Sequence, residues 1–232
     1  MDEIFERESL IIGVEGVEKL QQCKVALFGV GGVGSFAAEA LARAGVGTIA
    51  LVDGDKVSVT NINRQLVALG STVGREKVSV MTERIKDIND RINVISYCQF
   101  YSAENSDFVD LSEYDFIIDA IDSVPAKLHL IETAQESNTP IISCMGTGNR
   151  LDPTALKITD LFKTEGCPLA RKMRYELKKR GIKHVPVVFS SEVPARHSSI
   201  PESVTTVGSI SFVPSCAGLI AAGYAIKELL AK

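Results

Sequence analysis

The stretch Lys24-Val-Ala-Leu-Phe-Gly29-Val-Gly31-Gly32-Val-Gly34-Ser-Phe-Ala-Ala-Glu-Ala-Leu-Ala-Arg-Ala44 decides the fold. A short β-branched and apolar run stops at Gly29, and an Ala-, Leu- and Glu-rich run follows from Ser35 to Ala44. The pattern predicts strand, glycine turn and helix, with Gly45 and Gly47 as the helix stop. Gly29, Gly31 and Gly34 carry G-x-G-x-x-G spacing, with Gly32 between them, in the context a phosphate-binding turn requires. Glycines permit a tight turn and close backbone approach. The helix N-terminus then offers free amides and a partial positive charge to phosphate. Alone, the turn is compatible with NAD, FAD or ATP.

Outward from this unit, strand and helix signals alternate. Thr48–Val52 reads as the next strand, ending in Asp53, which is placed to accept hydrogen bonds from ribose hydroxyls. A helix follows over Arg75–Asn89, with Val78, Met81, Ile85 and Ile88 at helical spacing. Asn93–Phe100, Phe116–Ile121 and Pro140–Cys144 read as strands, with a helix at Pro125–Ser137 between the last two. The expectation is an α/β, doubly wound, mostly parallel Rossmann-like sheet with a C-terminal strand–helix extension. After Gly146 the signal weakens to strands at Ala155–Leu161 and Val185–Phe189 around a basic helix, Leu169–Arg180. Glu192–Val207 has no periodicity and reads as a mobile loop, followed by a strand at Gly208–Val213 and a closing helix at Ser215–Leu230. The whole chain, 1–232, is expected to be one nucleotide-binding domain. Its nucleotide half is 1–150, and 151–232 forms a substrate-facing extension.

The length of 232 residues suits one α/β domain with a full core. A net charge of −4 gives no global attraction to nucleic acid or anionic lipid, so such a partner needs a local basic patch. No opening segment pairs a basic start with an apolar run, so a cytoplasmic location is expected. Ile210–Leu230 is the most apolar stretch and reads as buried structure, with no membrane partner. The five cysteines form no C-x-x-C pair, which argues against structural zinc, and Cys98 and Cys144 read as small buried hydrophobes.

The segment after Asp53 separates the nucleotide options. Asp55, Asn61, Arg64 and Gln65 crowd the chain just beyond a strand end, and Arg75 and Lys77 follow. A triphosphate brings more charge than a dinucleotide and calls for Arg, Lys and a cation. Asp119-Ala-Ile-Asp122 closes another strand, with Asp122 near the carboxyl edge of the sheet. A carboxylate beside phosphates is repulsive unless a metal lies between them, so Asp122 suggests Mg²⁺.

Together, the G-x-G-G-x-G turn, Asp53, Asn61-x-x-Arg64-Gln65, Gly74-x-x-Lys77-Val78 and Asp119-x-x-Asp122 resemble the E1-like activating superfamily, which includes molybdopterin- and thiamine-biosynthetic adenylyltransferases. The resemblance implies that Arg64 and Lys77 contact ATP phosphates and that Asp122 holds magnesium. Phe5-Glu-Arg7-Glu-Ser9 is similar to the N-terminal segment whose arginine reaches a partner subunit's ATP site, which implies a homodimer with Arg7 acting in trans. Pro168-Leu-Ala-Arg171-Lys-Met-Arg174, Val188-Phe-Ser-Ser-Glu192 and Gly208-Ser-Ile-Ser-Phe212 resemble the tRNA threonylcarbamoyladenosine dehydratase branch. That branch uses ATP to activate the threonyl carboxylate of a modified adenosine beside the anticodon. AMP or phosphate leaves as a ring closes. The alternative is activation of the C-terminus of a ubiquitin-like sulfur carrier, against which the missing C-x-x-C pairs count. A cysteine desulfurase or sulfur-acceptor system stays open as a further partner.

The chain departs from that pattern at Phe212, where some relatives carry a cysteine, and at Cys167, where relatives commonly carry an aspartate. Cys216 is expected at the start of the last helix, in a packing role. For tRNA, Arg171, Arg174 and Lys178 fall on one helical face with Lys172 and Lys179 beside it, and Tyr175 could stack on a base. Such a stripe is either a solvated face or a track for a phosphate backbone, and the resemblance favours the track.

Overall fold

The computed structural model describes residues 3–195, 197–201 and 203–231. One seven-stranded sheet runs in the order β3-β2-β1-β4-β5-β7-β6. Its strands are β1 (Lys24–Phe28), β2 (Thr48–Val52), β3 (Asn93–Tyr97), β4 (Phe116–Asp119), β5 (Ile141–Cys144), β6 (Leu156–Asp160) and β7 (Pro186–Ser190). All neighbours pair in parallel except β6, which runs antiparallel to β7 at one edge. The central strands are near-continuous apolar runs because helices cover both faces of the sheet.

Helices α2 (Gly34–Arg43), α3 (Lys77–Ile88) and α6 (Phe212–Ala231) close one core, which includes Leu27, Leu41, Met81, Phe116 and Ala221. Helices α4 (Val124–Glu136) and α5 (Pro168–Lys179) close the other, with Phe28, Ile131, Met173 and Val187. The doubly wound reading is therefore borne out. An N-terminal helix, α1 (Glu6–Gln22), is broken at Gly13, where φ is 75°. By length and composition α6 could cross a membrane. It instead lies in the core, and Gly218 lets α2 approach so closely that a Cβ there would collide with the carbonyl of Val33.

Two expectations are corrected. The strand read over Gly208–Val213 does not form, since residues 203–210 carry no regular element and α6 already begins at Phe212. Ile210 packs toward the first core, so one buried contact and a β-branched run imitated a strand signal. Cys216 accordingly sits one turn inside α6, half-buried against that core. Cys98 is exposed just beyond β3, whereas Cys144 is buried as expected. Of the loop read over 192–207, Arg196 and Glu202 lie outside the described residues; the others form no helix or strand.

The order places the switch point between β1 and β4: from β1 the chain winds outward through β2 to β3, then returns to β4 on the other side. Chain turns leaving the carboxyl ends of β1 and β4 diverge there and open a crevice.

Candidate functional site

A cavity of about 750 Å³ occupies that crevice. Its floor is the glycine turn. Gly29 has φ of 89°, and a Cβ there would stand 2.6 Å from the Ala120 carbonyl oxygen. A Cβ on Gly34 would collide with the carbonyl of Gly29. Both positions therefore need glycine, one for handedness and contact, the other to fold the turn back on the helix. Gly31 and Gly32 face the cavity, where Gly31 meets only the Gln65 amide nitrogen, 3.7 Å from its ideal Cβ. At the start of α2, Ser35 N–H donates to the Gly31 carbonyl at 3.0 Å and Ala37 N–H to the Val33 carbonyl at 3.1 Å, closing the turn on the helix, whose positive N-terminal end favours an anion in the cavity.

Asp53 does more than face a sugar. One carboxylate oxygen accepts from Val30 N–H at 2.6 Å and the other from Asp55 N–H at 2.8 Å, tying the end of β2 to the glycine turn. Burial raises its pKa, against the pull of Lys77 and those two amides. Lys77, in the first turn of α3, is almost buried, and its Nζ lies 2.7 Å from Asp55 Oδ2. Its backbone N–H also donates to the Asp55 carbonyl at 3.1 Å.

Asn61 Oδ1 accepts from Ser58 N–H at 3.0 Å, closing the short turn Val59–Asn61. That turn aims Arg64, whose guanidinium donates to the Thr60 carbonyl at 2.9 Å and to Asn63 Oδ1 at 3.0 Å, at the cavity wall. Gln65 is buried, and its Oε1 has no hydrogen-bond partner among the described residues. Asp122 is exposed and lines the same cavity, in the turn that leaves β4. The structure thus gathers Gly29, Gly31, Gly32, Asp53, Asp55, Asn61, Arg64, Gln65, Lys77 and Asp122 around one cavity, with Gly34 supporting the turn beneath. Arg75 turns away to pair with Glu83. Arg7 lies exposed in the first turn of α1 and does not line this cavity.

Several wall residues escaped the sequence reading. Gln99, Phe100, Tyr101, Ser102, Ala103 and Glu104 follow β3, Thr147 comes from the chain after β5, and Ser209 approaches from the second half. The strand read as far as Phe100 ends at Tyr97 because the chain must turn over the carboxyl edge. Phe100, 65% exposed, lies over Gly54 at the rim. The two carboxylates of Asp119-x-x-Asp122 also prove unequal. Asp119 is fully buried and belongs to an ion pair with Lys127, a residue no motif had marked.

The basic helix α5 buries Ala170, Met173 and Leu177 and exposes Arg171, Lys172, Lys178 and Lys179. Arg174 departs from the expected stripe: its guanidinium reaches the Thr164 carbonyl at 2.7 Å and also the Thr164 hydroxyl, holding the loop before α5. Lys179 Nζ rests 3.9 Å from the Tyr175 ring centroid. Leu169 lies near Gly146, so the stripe starts by the sheet's carboxyl edge and runs away from it. Cys167 is buried immediately before α5.

Fold and site together define a nucleotide-binding α/β protein whose crevice combines a glycine turn with a lysine, an arginine and a separate carboxylate. The chain belongs to the ThiF family, which it matches over residues 5–232. It is 46% identical to the tRNA threonylcarbamoyladenosine dehydratase of Bacillus subtilis, over 97% of this chain and 94% of that protein. The Escherichia coli tRNA N6-threonylcarbamoyladenosine dehydratase in complex with AMP superposes with a TM-score of 0.87 at 36% identity, covering 96% of this chain and 92% of that one. Its complex with ATP gives the same score at 35% identity, covering 98% and 93%.

Proposed function

We propose that this chain is an ATP-dependent tRNA threonylcarbamoyladenosine dehydratase, cyclising N6-threonylcarbamoyladenosine at tRNA position 37 by activating its carboxylate. The convergence of Arg64, Lys77 and Asp122 on the glycine-floored cavity carries this reading, with near-full-length similarity to dehydratases beside it. A carboxylate is a poor electrophile, and phosphoryl or adenylyl transfer to it creates a leaving group that ring closure expels. Such transfer needs charge stabilisation more than an acid or base. The glycine-turn amides, Arg64 and Lys77 hold the phosphates, and Asp53 together with Asp55, Asn61 and Gln65 shapes the ribose and base side. No protein nucleophile is needed.

Magnesium fits the donor set. Among the described residues no three His, Cys, Asp or Glu side chains gather as a protein cage. Mg²⁺ is commonly held by one or two carboxylates together with substrate phosphates, and Asp122 lines the same cavity as Arg64 and Lys77. When bound, the ion would offset charge on the phosphates.

The nucleotide half, 1–150, would hold ATP, and 151–232 would face tRNA, with Arg171, Lys172, Lys178 and Lys179 following the backbone. A homodimer is supported by exposed apolar side chains on α1, where Leu10 and Ile11 are 83% and 85% accessible. Arg7 lies on the same helix and would enter the partner's cavity. The enzyme would be cytoplasmic. Mass spectrometry of nucleosides from tRNA incubated with the protein, ATP and magnesium tests the proposal. Disappearance of threonylcarbamoyladenosine with appearance of its dehydrated form supports it. An unchanged profile, with pyrophosphate exchange seen only on adding a sulfur-carrier protein, would instead establish the carrier-activating reading.

A further inference from the structure

The Asp119–Lys127 pair is an anomaly for stability. Both side chains are fully buried, with Lys127 Nζ 2.7 Å from Asp119 Oδ2. The same oxygen accepts the Ser143 hydroxyl at 2.5 Å, and Oδ1 accepts Ile121 N–H at 3.1 Å. Isolated buried ion pairs are often matched or surpassed in stability by apolar side chains of similar size, because desolvation offsets their attraction. The pair therefore calls for a role other than holding the fold together.

Its position supplies one. Asp119 is the last residue of β4, and Lys127 stands one turn inside α4, so the pair spans the connection that forms a cavity wall. The bond to Ile121 N–H fixes the peptide between Ala120 and Ile121. Ala120 in turn donates its N–H to the Phe28 carbonyl at 2.8 Å, and its own carbonyl abuts Gly29. Asp122 is the next residue along. Lys127 and Ser143 hold the Asp119 carboxylate, the carboxylate holds the turn, and the turn carries Asp122 into the lining of the cavity that the glycine turn floors.

We infer that Asp119, locked by Lys127 and Ser143, is a positioning group for nucleotide binding: through the Ile121 amide it sets the wall that carries Asp122 against the glycine turn. This rests on the reading of the cavity as an ATP site.

Two variants separate positioning from stability. Asp119→Leu/Lys127→Met/Ser143→Ala removes the whole polar network, and Asp119→Asn/Lys127→Met keeps a neutral acceptor for Ile121 N–H. The readouts are Tm, Kd for ATP with magnesium by calorimetry, and KM for ATP in the tRNA reaction. The triple variant is expected to melt close to wild type yet bind ATP roughly tenfold more weakly, the effect of about one lost well-placed interaction. The Asn/Met variant is expected to recover wild-type Kd and KM. A triple variant that folds and binds ATP like wild type overturns the inference. If the triple variant does not fold, the Asn/Met variant decides: a protected Ile121 amide in hydrogen exchange with weakened ATP binding overturns it, and retained binding upholds it. A wild-type protein that binds no ATP would instead remove the reading of the site itself.

Discussion

Lys77 Nζ lies 2.7 Å from the Asp55 carboxylate, with the lysine side chain 6% exposed and the aspartate 53% exposed on the cavity wall. The ammonium has given up most of its water and has its stem fixed in the first turn of α3. It is held ready for a second anion on the cavity side, and an arriving phosphate needs little reorganisation of the protein. Truncating such a group removes charge stabilisation without opening the sheet. Lys77→Ala is expected to lower kcat/KM for ATP about 10²-fold or more, measured as tRNA-dependent nucleotide turnover. Lys77→Arg should recover only part of this, because its planar fork does not fit a site built for a compact ammonium.

The glycine turn allows a sharper dissection. At Gly29 a methyl group meets the Ala120 carbonyl oxygen at 2.6 Å and φ is 89°, so Gly29→Ala is expected to destabilise the fold by roughly 2 kcal/mol or more. Gly31→Ala meets nothing closer than 3.7 Å and should leave the fold intact while placing a methyl group where phosphate would approach. Melting curves with and without ATP distinguish them: Gly29→Ala lowers the basal Tm, and Gly31→Ala abolishes the ATP-induced rise in Tm.

Asp53 gives a pH dependence with a definite sign. Burial raises its pKa in the folded protein above that of the unfolded chain. The folded state therefore binds this proton more tightly, and the associated stability is present at acid pH and lost as pH rises through the raised value. Asp53→Asn cannot titrate there. The Tm of the variant minus that of wild type should grow more positive from about pH 3 to pH 7. Wild-type ATP affinity should fall over the same window as pH drops, because the protonated carboxyl loses acceptor strength toward the Val30 and Asp55 amides.

On α5, exposure divides residues that sequence spacing grouped together. Lys172 and Lys178 are exposed, and Lys172→Glu/Lys178→Glu is expected to weaken tRNA binding and reduce the salt slope by roughly 0.7–0.9 per lost phosphate contact, with ATP affinity unchanged. Arg174→Ala should instead lower Tm, since it releases the Thr164 loop. Filter binding over a salt series, with thermal melts alongside, reads both.

Asp122→Asn should shift the magnesium requirement to higher concentration while leaving Tm unchanged, as expected for a carboxylate exposed on the cavity lining. A titration of turnover against magnesium at saturating ATP reads this directly.

The sheet and the glycine turn that floors the cavity were legible in local sequence pattern. Apolar runs of five residues ending at Gly29 and Asp53, alternating with helical periodicity, leave few alternatives to a doubly wound sheet, because local pattern and handedness act over short distances. Asp53 and Asp122 lie just past the ends of β2 and β4, at the carboxyl edge of the sheet, whereas Arg64 and Lys77 reach the same cavity through the long connection from β2 to α3. Which charges face the cavity or solvent and which are internal emerged only once the elements were packed. Asp119 and Asp122 are three residues apart in one motif, yet the first is sealed against Lys127 from α4 and the second faces the cavity. Arg174 sits among exposed basic residues and turns inward to Thr164. Residues 208–213 carry a strand-like composition, but they join neither edge of the sheet, and α6 takes up their last two positions. Burial and pairing depend on what arrives from distant segments, and no window of local sequence contains that information.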